Sequence, residues 1–413
     1  MLGCKVFLRQ EEVTGASRPW GGGGLHAMKR TRKYRKMVPV KEVLQHPKAC
    51  FVQNIFTPNG SAVLVPNKVP ICDLVASLPE PERLIRSLES QGIREVELEF
   101  RHPLDVQKTK ALLEEIDSSF RVVDAQLSSQ VVEDLSDIYS RLTIDQKFHF
   151  PRGEVERLGG MLAEEVGKAT HILMSLVNPE TADTYTQTHS LNVSLLSGYL
   201  AKRLCELKGF HPSLVEKAIQ AGLLFDLGKA TLPREILEKP EPLGAEELRI
   251  VRSHPAESVR IARASGVSDP DILEGILHHH ERWDGSGYPD GLTEKKIPVI
   301  ARILAVADTF DAMTSQRVYK NAVSSKVSFN FIMSANETHF DPDVCRVFLS
   351  GMGIYPPGCV VELSDGTVGT VAASTEGNLL QPKILLQEGD QTRIIELCRE
   401  THRKLFIKRA LDV

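Results

Sequence analysis

DPDILEGILHHHERWDGSGYPDGL, residues 269–292, changes character in its middle. Asp269 reads as an N-cap and Pro270 as the first helical residue, so a helix opens there. His279 and His280 stand three and four residues after Ile276, which points at least one of them inward with the apolar stripe. His278 falls about 100° round such a helix from His279 and reads as a neighbour. Beyond Glu281 the text turns to Gly, Asp, Ser and Pro, the composition of a tight loop.

The surrounding segments repeat the theme of one polar group on an apolar helix. DTYTQTHSLNVSLLSGYLAKRL, 183–204, aligns His189 with Val193, Leu196, Leu200 and Leu204 at helical spacing. In AGLLFDLGKATLP, 221–233, an apolar helix delivers Asp226 at its end and stops at Gly228 with Lys229 just beyond. AEELRIVRSHPAES, 245–258, breaks at His254, because Pro255 starts a new helix. IPVIARILAVADTFDAMTS, 297–315, carries Asp308 at the end of an almost wholly apolar run. An unpartnered buried polar group costs on the order of 1–3 kcal/mol, and a bare charge more. For any one of these residues a hydrogen-bonded core role is the default, but together they compose a metal centre in a helical bundle. Imidazole mixed with carboxylate suits Fe, Mn or Zn, and carboxylate bridges favour two ions.

These segments, with HHERWDGSGYPDG (279–291) and ARILAVADTFDAMTSQRVYK (301–320), resemble the HD-GYP family of metal-dependent phosphohydrolases. YTQTHS, AGLLFDLGK, LPREILEKP and RSHP occur in the family's order, and the resemblance covers residues 181–348. It implies hydrolysis of cyclic di-GMP to pGpG and GMP by a phosphodiesterase with two divalent ions, Fe or Mn. It further implies His189, Asp226, His254, His279, His280 and Asp308 as ligands with Asp226 bridging, and Lys229 beside a phosphate. Arg317 and Lys320 then bind substrate next to the GYP loop, Gly287, Tyr288 and Pro289. Two cations about 3.5–4 Å apart neutralise the charge of an in-line displacement, so no side-chain nucleophile is required. The sequence contains no Ser-His-Asp or Cys-His set, and GGGG at 21–24 lacks a preceding strand and a following Lys.

Three positions depart from the family pattern. Phe225 replaces the histidine of the HD dyad and removes a nitrogen ligand. Tyr185 stands where a carboxylate would support a third ion, so a three-metal centre is not expected. Ser258 stands where Gly is usual, and the sequence offers no explanation for it. Two functions of different class follow. One is a cyclic di-GMP phosphodiesterase weakened at one metal position. The other is a catalytically inactive cyclic di-GMP receptor, or a scaffold whose GYP surface meets diguanylate cyclases of the GGDEF kind.

The expected architecture is multidomain and mainly α. A helical HD-type metal-binding bundle, 179–350, is flanked by a small α+β N-terminal domain, 38–103, a helical connector, 104–178, and a small β-rich C-terminal unit, 351–413. Residues 1–37 read as a disordered basic leader, or as an over-long start upstream of Met28 or Met37, with a lipid- or nucleic-acid-binding arm as the second reading of Lys29 to Lys36. His171 in the connector reads as a structural histidine. GIREVELEF, 92–100, alternates as an edge strand would, and VVELSDGTVGTV, 360–371, predicts a hairpin about Asp365 and Gly366. The N-terminal module and this tail also resemble family members that carry an accessory domain ahead of HD-GYP. A net charge of −4 gives no global attraction to nucleic acid, and no stretch reaches the ~18 apolar residues of a membrane span. Seven scattered cysteines predict reduced thiols in a cytoplasm; a homodimer is left open.

Overall fold

A computed structural model of the chain describes residues 33–46, 48–52, 55–56, 62–63, 69–76, 80–101, 124–145, 149–151, 153–168, 185–237, 239, 241–315, 325–357, 359–375, 378–388, 391–397 and 405–411. His171, Arg317, Lys320 and the segment 1–32 lie outside the described residues. The first unit contains β1 (Lys33–Pro39), β2 (Cys50–Phe51), β3 (Ile55–Phe56), β4 (Ala62–Val63), the helices α1 (Ile71–Ala76) and α2 (Glu82–Ser90), and β5 (Glu95–Arg101). Its sheet order is β1-β5-β2, all antiparallel. β5 is therefore central and not an edge. The strand that covers its far side is KYRKMVP, whose first five residues the charge pattern had placed in the leader. Pairing with a strand some sixty residues away is invisible to local charge, which is why that assignment failed. Val38, Val96 and Leu98 are buried with Phe51, Ile71 and Leu88 in this unit's core.

The bundle comprises α3 (Ala125–Ile144), α4 (Glu154–Lys168), α5 (Tyr185–Lys208), α6 (Ser213–Leu224), a 3-10 turn Leu227–Thr231, the short α7 (Arg234–Leu237), α8 (Ala245–Val251) and α9 (His254–Ala264). It continues with α10 (Pro270–Leu277), α11 (Val299–Thr314), α12 (Ser325–Ser334) and α13 (Pro342–Met352). One apolar core runs through all the longer helices, from Leu135 and Leu158 on α3 and α4 to Phe348 on α13. The two helices read as a connector thus share the bundle's core, because Val131, Leu142, Leu162 and Val166 supply one apolar face each to α5 and α6. Among the described residues no helix is long and apolar enough to cross a membrane.

The chain ends in an antiparallel sheet of order β10-β6-β7-β8-β9, built from β6 (Val360–Leu363), β7 (Val368–Thr375), β8 (Asn378–Glu388), β9 (Gln391–Glu396) and β10 (Ile407–Ala410). The β6–β7 turn is the hairpin expected at Asp365 and Gly366, with Asp365 Oδ1 accepting from the Thr367 N–H at 2.9 Å. This sheet meets the first unit. The buried Glu362 carboxylate gathers Arg409 at 2.7 Å, Lys36 at 3.4 Å and Lys408 at 3.8 Å, while Phe100 packs on Val360 and Leu411.

Candidate metal centre

The site forms where α5, α6, α9, α10 and α11 converge. α6 ends at Leu224, and Phe225 and Asp226 lie in the turn before the 3-10 segment. Gly228 does not serve as a left-handed helix stop; its φ is not positive. A Cβ there would lie 2.2 Å from the His254 carbonyl oxygen and 2.8 Å from the Ser258 nitrogen, so glycine is required for the turn to lie against the start of α9. Ser258 completes that contact: its buried hydroxyl donates to the Phe225 carbonyl at 2.8 Å and accepts from the Gly228 N–H at 2.8 Å. The Ser258 substitution left unexplained by the sequence is thus a clamp on the turn that carries Asp226 and Lys229.

α10 is shorter than the periodicity predicts. It closes at Leu277, and His278, His279 and His280 occupy the turn beyond it, where helical angles no longer apply. The Asp269 side chain caps the helix as expected, accepting from the Asp271 N–H at 2.9 Å. His278 Nε2 reaches Asp290 Oδ2 at 2.9 Å, away from its two neighbours. The GYP loop folds back on the histidine turn, held by the buried Glu281 carboxylate, which accepts from Asp290 N–H at 2.7 Å and Leu292 N–H at 3.1 Å. Gly287 lies so close that a Cβ would sit 2.4 Å from the Arg282 nitrogen. Tyr288 then stacks on His280 with centroids 4.8 Å apart, and Pro289 is exposed beside it.

Three imidazoles converge. His254 Nε2 lies 3.3 Å from His279 Nε2 and 3.2 Å from His280 Nε2, and 3.3 Å from Asp226 Oδ1. Nδ1 of His254 faces the Val251 carbonyl and Nδ1 of His279 the Ile276 carbonyl, each at 2.7 Å, which puts the ring protons on Nδ1. Their Nε2 lone pairs therefore face each other, and that of His254 also faces Asp226 Oδ1, a buried oxygen with no hydrogen-bond donor among the described residues. The ligand atoms of His254, His279 and His280 lie within 4.8 Å of one another, and three imidazole nitrogens at that spacing fit a divalent transition ion, with Asp226 Oδ1 3.3 Å from His254 Nε2 beside them. Burial holds His254, His279 and His280 below the ordinary imidazole pKa; for His254 the Lys229 ammonium adds to this, and for His280 the neighbouring imidazoles do. All three rings are thus kept in the neutral form that ligation requires.

The other half of the cluster is already neutralised from within. Asp226 Oδ2 accepts from Lys229 Nζ at 2.5 Å. His189 Nε2 meets Asp308 Oδ1 at 3.0 Å, its Nδ1 meets Asp311 Oδ2 at 2.6 Å, and Asp226 Oδ2 lies 3.9 Å from Nε2. Burial opposes a charge on His189, but Asp308 and Asp311 outweigh it and raise its pKa. Burial likewise disfavours the carboxylates, yet His189 holds Asp308 well below its ordinary pKa and Lys229 holds Asp226 below its own. Between the halves stands Phe225, fully buried, its ring centroid 5.0 Å from that of His279 and 5.6 Å from that of His189. Tyr185 stacks on the His189 ring at 5.8 Å.

Sequence reasoning missed Asp311. It is completely buried one turn beyond Asp308 and also accepts from Asn192 Nδ2 at 2.9 Å and Ser315 Oγ at 3.0 Å. The signal was present in DTFD, two carboxylates three apart on an apolar helix, with Asn192 three residues after His189.

The direction of these shifts fixes an acid response of the metal-free protein. His254, His279 and His280 bind protons more weakly folded than unfolded, so their stabilisation is present above the unfolded imidazole pKa, about 6.5, and lost as pH falls below it. His189 has the opposite sign and favours folding at acid pH, leaving a surplus of two lowered histidines within the site, to which His46 and His339, also lowered by burial, add in the same sense. Urea denaturation of EDTA-treated protein is expected to show stability falling by roughly 1 kcal/mol per pH unit for each surplus histidine between about pH 6.5 and pH 5. A flat profile would contradict the buried neutral rings.

An α-helical bundle that brings three neutral imidazoles together, with a buried carboxylate beside them, is a scaffold for a divalent-metal site. Residues 174–344 match the family described as HD domain. By sequence the chain is 39% identical over 223 residues to the cyclic di-GMP phosphodiesterase PA4108 of Pseudomonas aeruginosa, covering 54% of this chain and 53% of that protein. It is 40% identical over 173 residues to a cyclic di-GMP phosphodiesterase of Thermotoga maritima, covering 41% and 45%. It is 34% identical over 171 residues to the 3'3'-cGAMP-specific phosphodiesterase 2 of Vibrio cholerae, covering 41% and 32%. Among solved structures it is similar to Bd1817, an HDG"Y"P protein from Bdellovibrio bacteriovorus, with TM-score 0.39 and 15% identity over 76% of this chain and 97% of that one. Residues 174–344 thus carry an HD domain, and the chain spans about half the length of the first two of these relatives.

Proposed function

We propose that this protein is a cyclic di-GMP phosphodiesterase of HD-GYP type, a metal-dependent phosphoric diester hydrolase that yields pGpG and GMP. The observation that carries the reading is the convergence of His254, His279 and His280 beside Asp226 Oδ1, a buried oxygen with no hydrogen-bond donor among the described residues. These four residues would hold the primary ion; the half formed by His189 and Asp308 has its charges matched internally and would hold a second ion weakly. Iron or manganese suits the mixed nitrogen and oxygen donors. When bound, a divalent ion supplies polarisation of a phosphate oxygen and acidification of a water.

The chain's own groups do the rest. Lys229 exchanges part of its contact with Asp226 for a phosphate oxygen and offsets negative charge there. Asp226 has one oxygen in each half and so fixes the spacing between primary ion and ammonium. Phe225 keeps water from the space between His189 and His279. Tyr288, Gly287 and Pro289 form the adjoining wall, with Arg317 and Lys320 as further substrate contacts. The exposed side of the loop, Asp284, Ser286 and Asp290, is the surface we assign to GGDEF partners. Scattered free thiols favour a cytoplasmic setting.

One observation favours a second reading: a buried phenyl ring in the dyad position suits a receptor that binds cyclic di-GMP without cutting it. Protein purified with Mn or Fe and incubated with cyclic di-GMP distinguishes the two. Release of pGpG that stops on EDTA treatment is expected. Nucleotide binding without product would leave the receptor reading, and absence of both metal and nucleotide would eliminate both.

A further inference from the structure

The break between α8 and α9 delivers two side chains in opposite senses. His254 is buried among the converging nitrogens, while Arg252, at the C-terminal end of α8, is exposed. Its guanidinium carbon lies 5.1 Å from the centroid of the Tyr288 ring, and that ring stacks on His280. A ladder of Arg252, Tyr288 and His280 thus leads outward from the metal-facing nitrogens. Among the described residues the Arg252 side chain has no carboxylate partner, and its contact is this ring.

We infer that Arg252 reads a guanine base of the substrate. The inference rests on the cyclic dinucleotide reading above and adds its base specificity. Lys229 already places a cation next to the ligand set, where a scissile phosphate would lie. Arg252 stands one aromatic ring further out, where a nucleobase attached to that phosphate would project. A guanidinium lying over an aromatic ring keeps its N–H edge free, and that planar fork matches the two acceptors of guanine, O6 and N7. Adenine offers an acceptor and a donor on the same edge and would be matched poorly. Lysine could replace the charge but not the fork.

Binding of cyclic di-GMP and of cyclic di-AMP to metal-loaded wild type, Arg252→Ala and Arg252→Lys, measured by calorimetry, tests the assignment. Arg252→Ala is expected to weaken cyclic di-GMP binding by about 10- to 100-fold, with cyclic di-AMP changed by less than about 3-fold. Arg252→Lys is expected to behave like the alanine variant, with metal content unchanged in both. Equal losses for the two nucleotides, or rescue by lysine, would make Arg252 a phosphate contact and overturn the inference. Unchanged cyclic di-GMP binding in Arg252→Ala would overturn it while leaving the phosphodiesterase reading intact. If wild type binds no cyclic dinucleotide, that reading fails and this one with it.

Discussion

Phe225→His is expected to add about one divalent ion per chain and to raise cyclic di-GMP hydrolysis by at least about 10-fold, in line with the sensitivity of metal sites to single ligating groups. The ring stands between His279 and His189, so an imidazole on the same Cβ would offer a second nitrogen, beside that of His189, to this half of the cluster. A second ion there would compete with the contacts of His189 with Asp308 and of Lys229 with Asp226. Full occupancy is therefore expected only at higher metal concentration than the primary position needs. The substitution also removes a fully buried apolar side chain worth about 1.5–3 kcal/mol, so the metal-free variant should melt earlier than wild type and regain stability on loading. Metal analysis, product chromatography and thermal melts with and without Mn check all three. An unchanged metal content together with an unchanged rate would mean that Phe225 is not what limits the site.

The second large effect falls on the opposite side of the ring. His254→Ala is expected to lower affinity for the primary ion by more than about 100-fold and to abolish turnover, since losses of groups that only orient ligands already cost about 10- to 100-fold. His254 is the one imidazole whose Nε2 faces His279, His280 and Asp226 together, all within 3.3 Å. Its removal also leaves Asp226 Oδ1 buried beside a void. His278→Ala is the matched control, because His278 holds Asp290 and the Glu274 carbonyl and faces none of the three nitrogens. Metal retention in His278→Ala and loss in His254→Ala are expected by dialysis against a weak chelator. Loss in both would show that the loop anchored by Asp290 governs the site; retention in both would remove the basis for the primary position.

Much of this centre could be read from residue types. A buried polar group has to be matched, so His189 stood out by its register with leucines, Asp226 and Asp308 as carboxylates at the ends of apolar helices, and His254 at the break before Pro255. Where periodicity lapsed, so did the reading. His279 and His280 converge because α10 ends at Leu277, and a turn can aim adjacent side chains at one point as a helix cannot. Gly228 resembled a helix stop in the text, but its role is set by the approach of α9 to the turn. β5 resembled an edge because its partner lies in a segment whose charge pattern is that of a solvated leader.

By itself the sequence determined the helical class of the central region, the apolar faces and the identity of the polar groups on them, because side-chain periodicity and the cost of burial act locally. Only the tertiary structure decided how those groups divide. One half consists of three converging imidazoles beside the donor-free Asp226 Oδ1; in the other, Lys229 pairs with Asp226 Oδ2 and His189 with Asp308 and Asp311, with the Phe225 ring beside His189. That division depends on distances of a few ångströms between helices far apart in the chain; a hydrogen bond is lost over such a distance and a Coulomb interaction weakens with it.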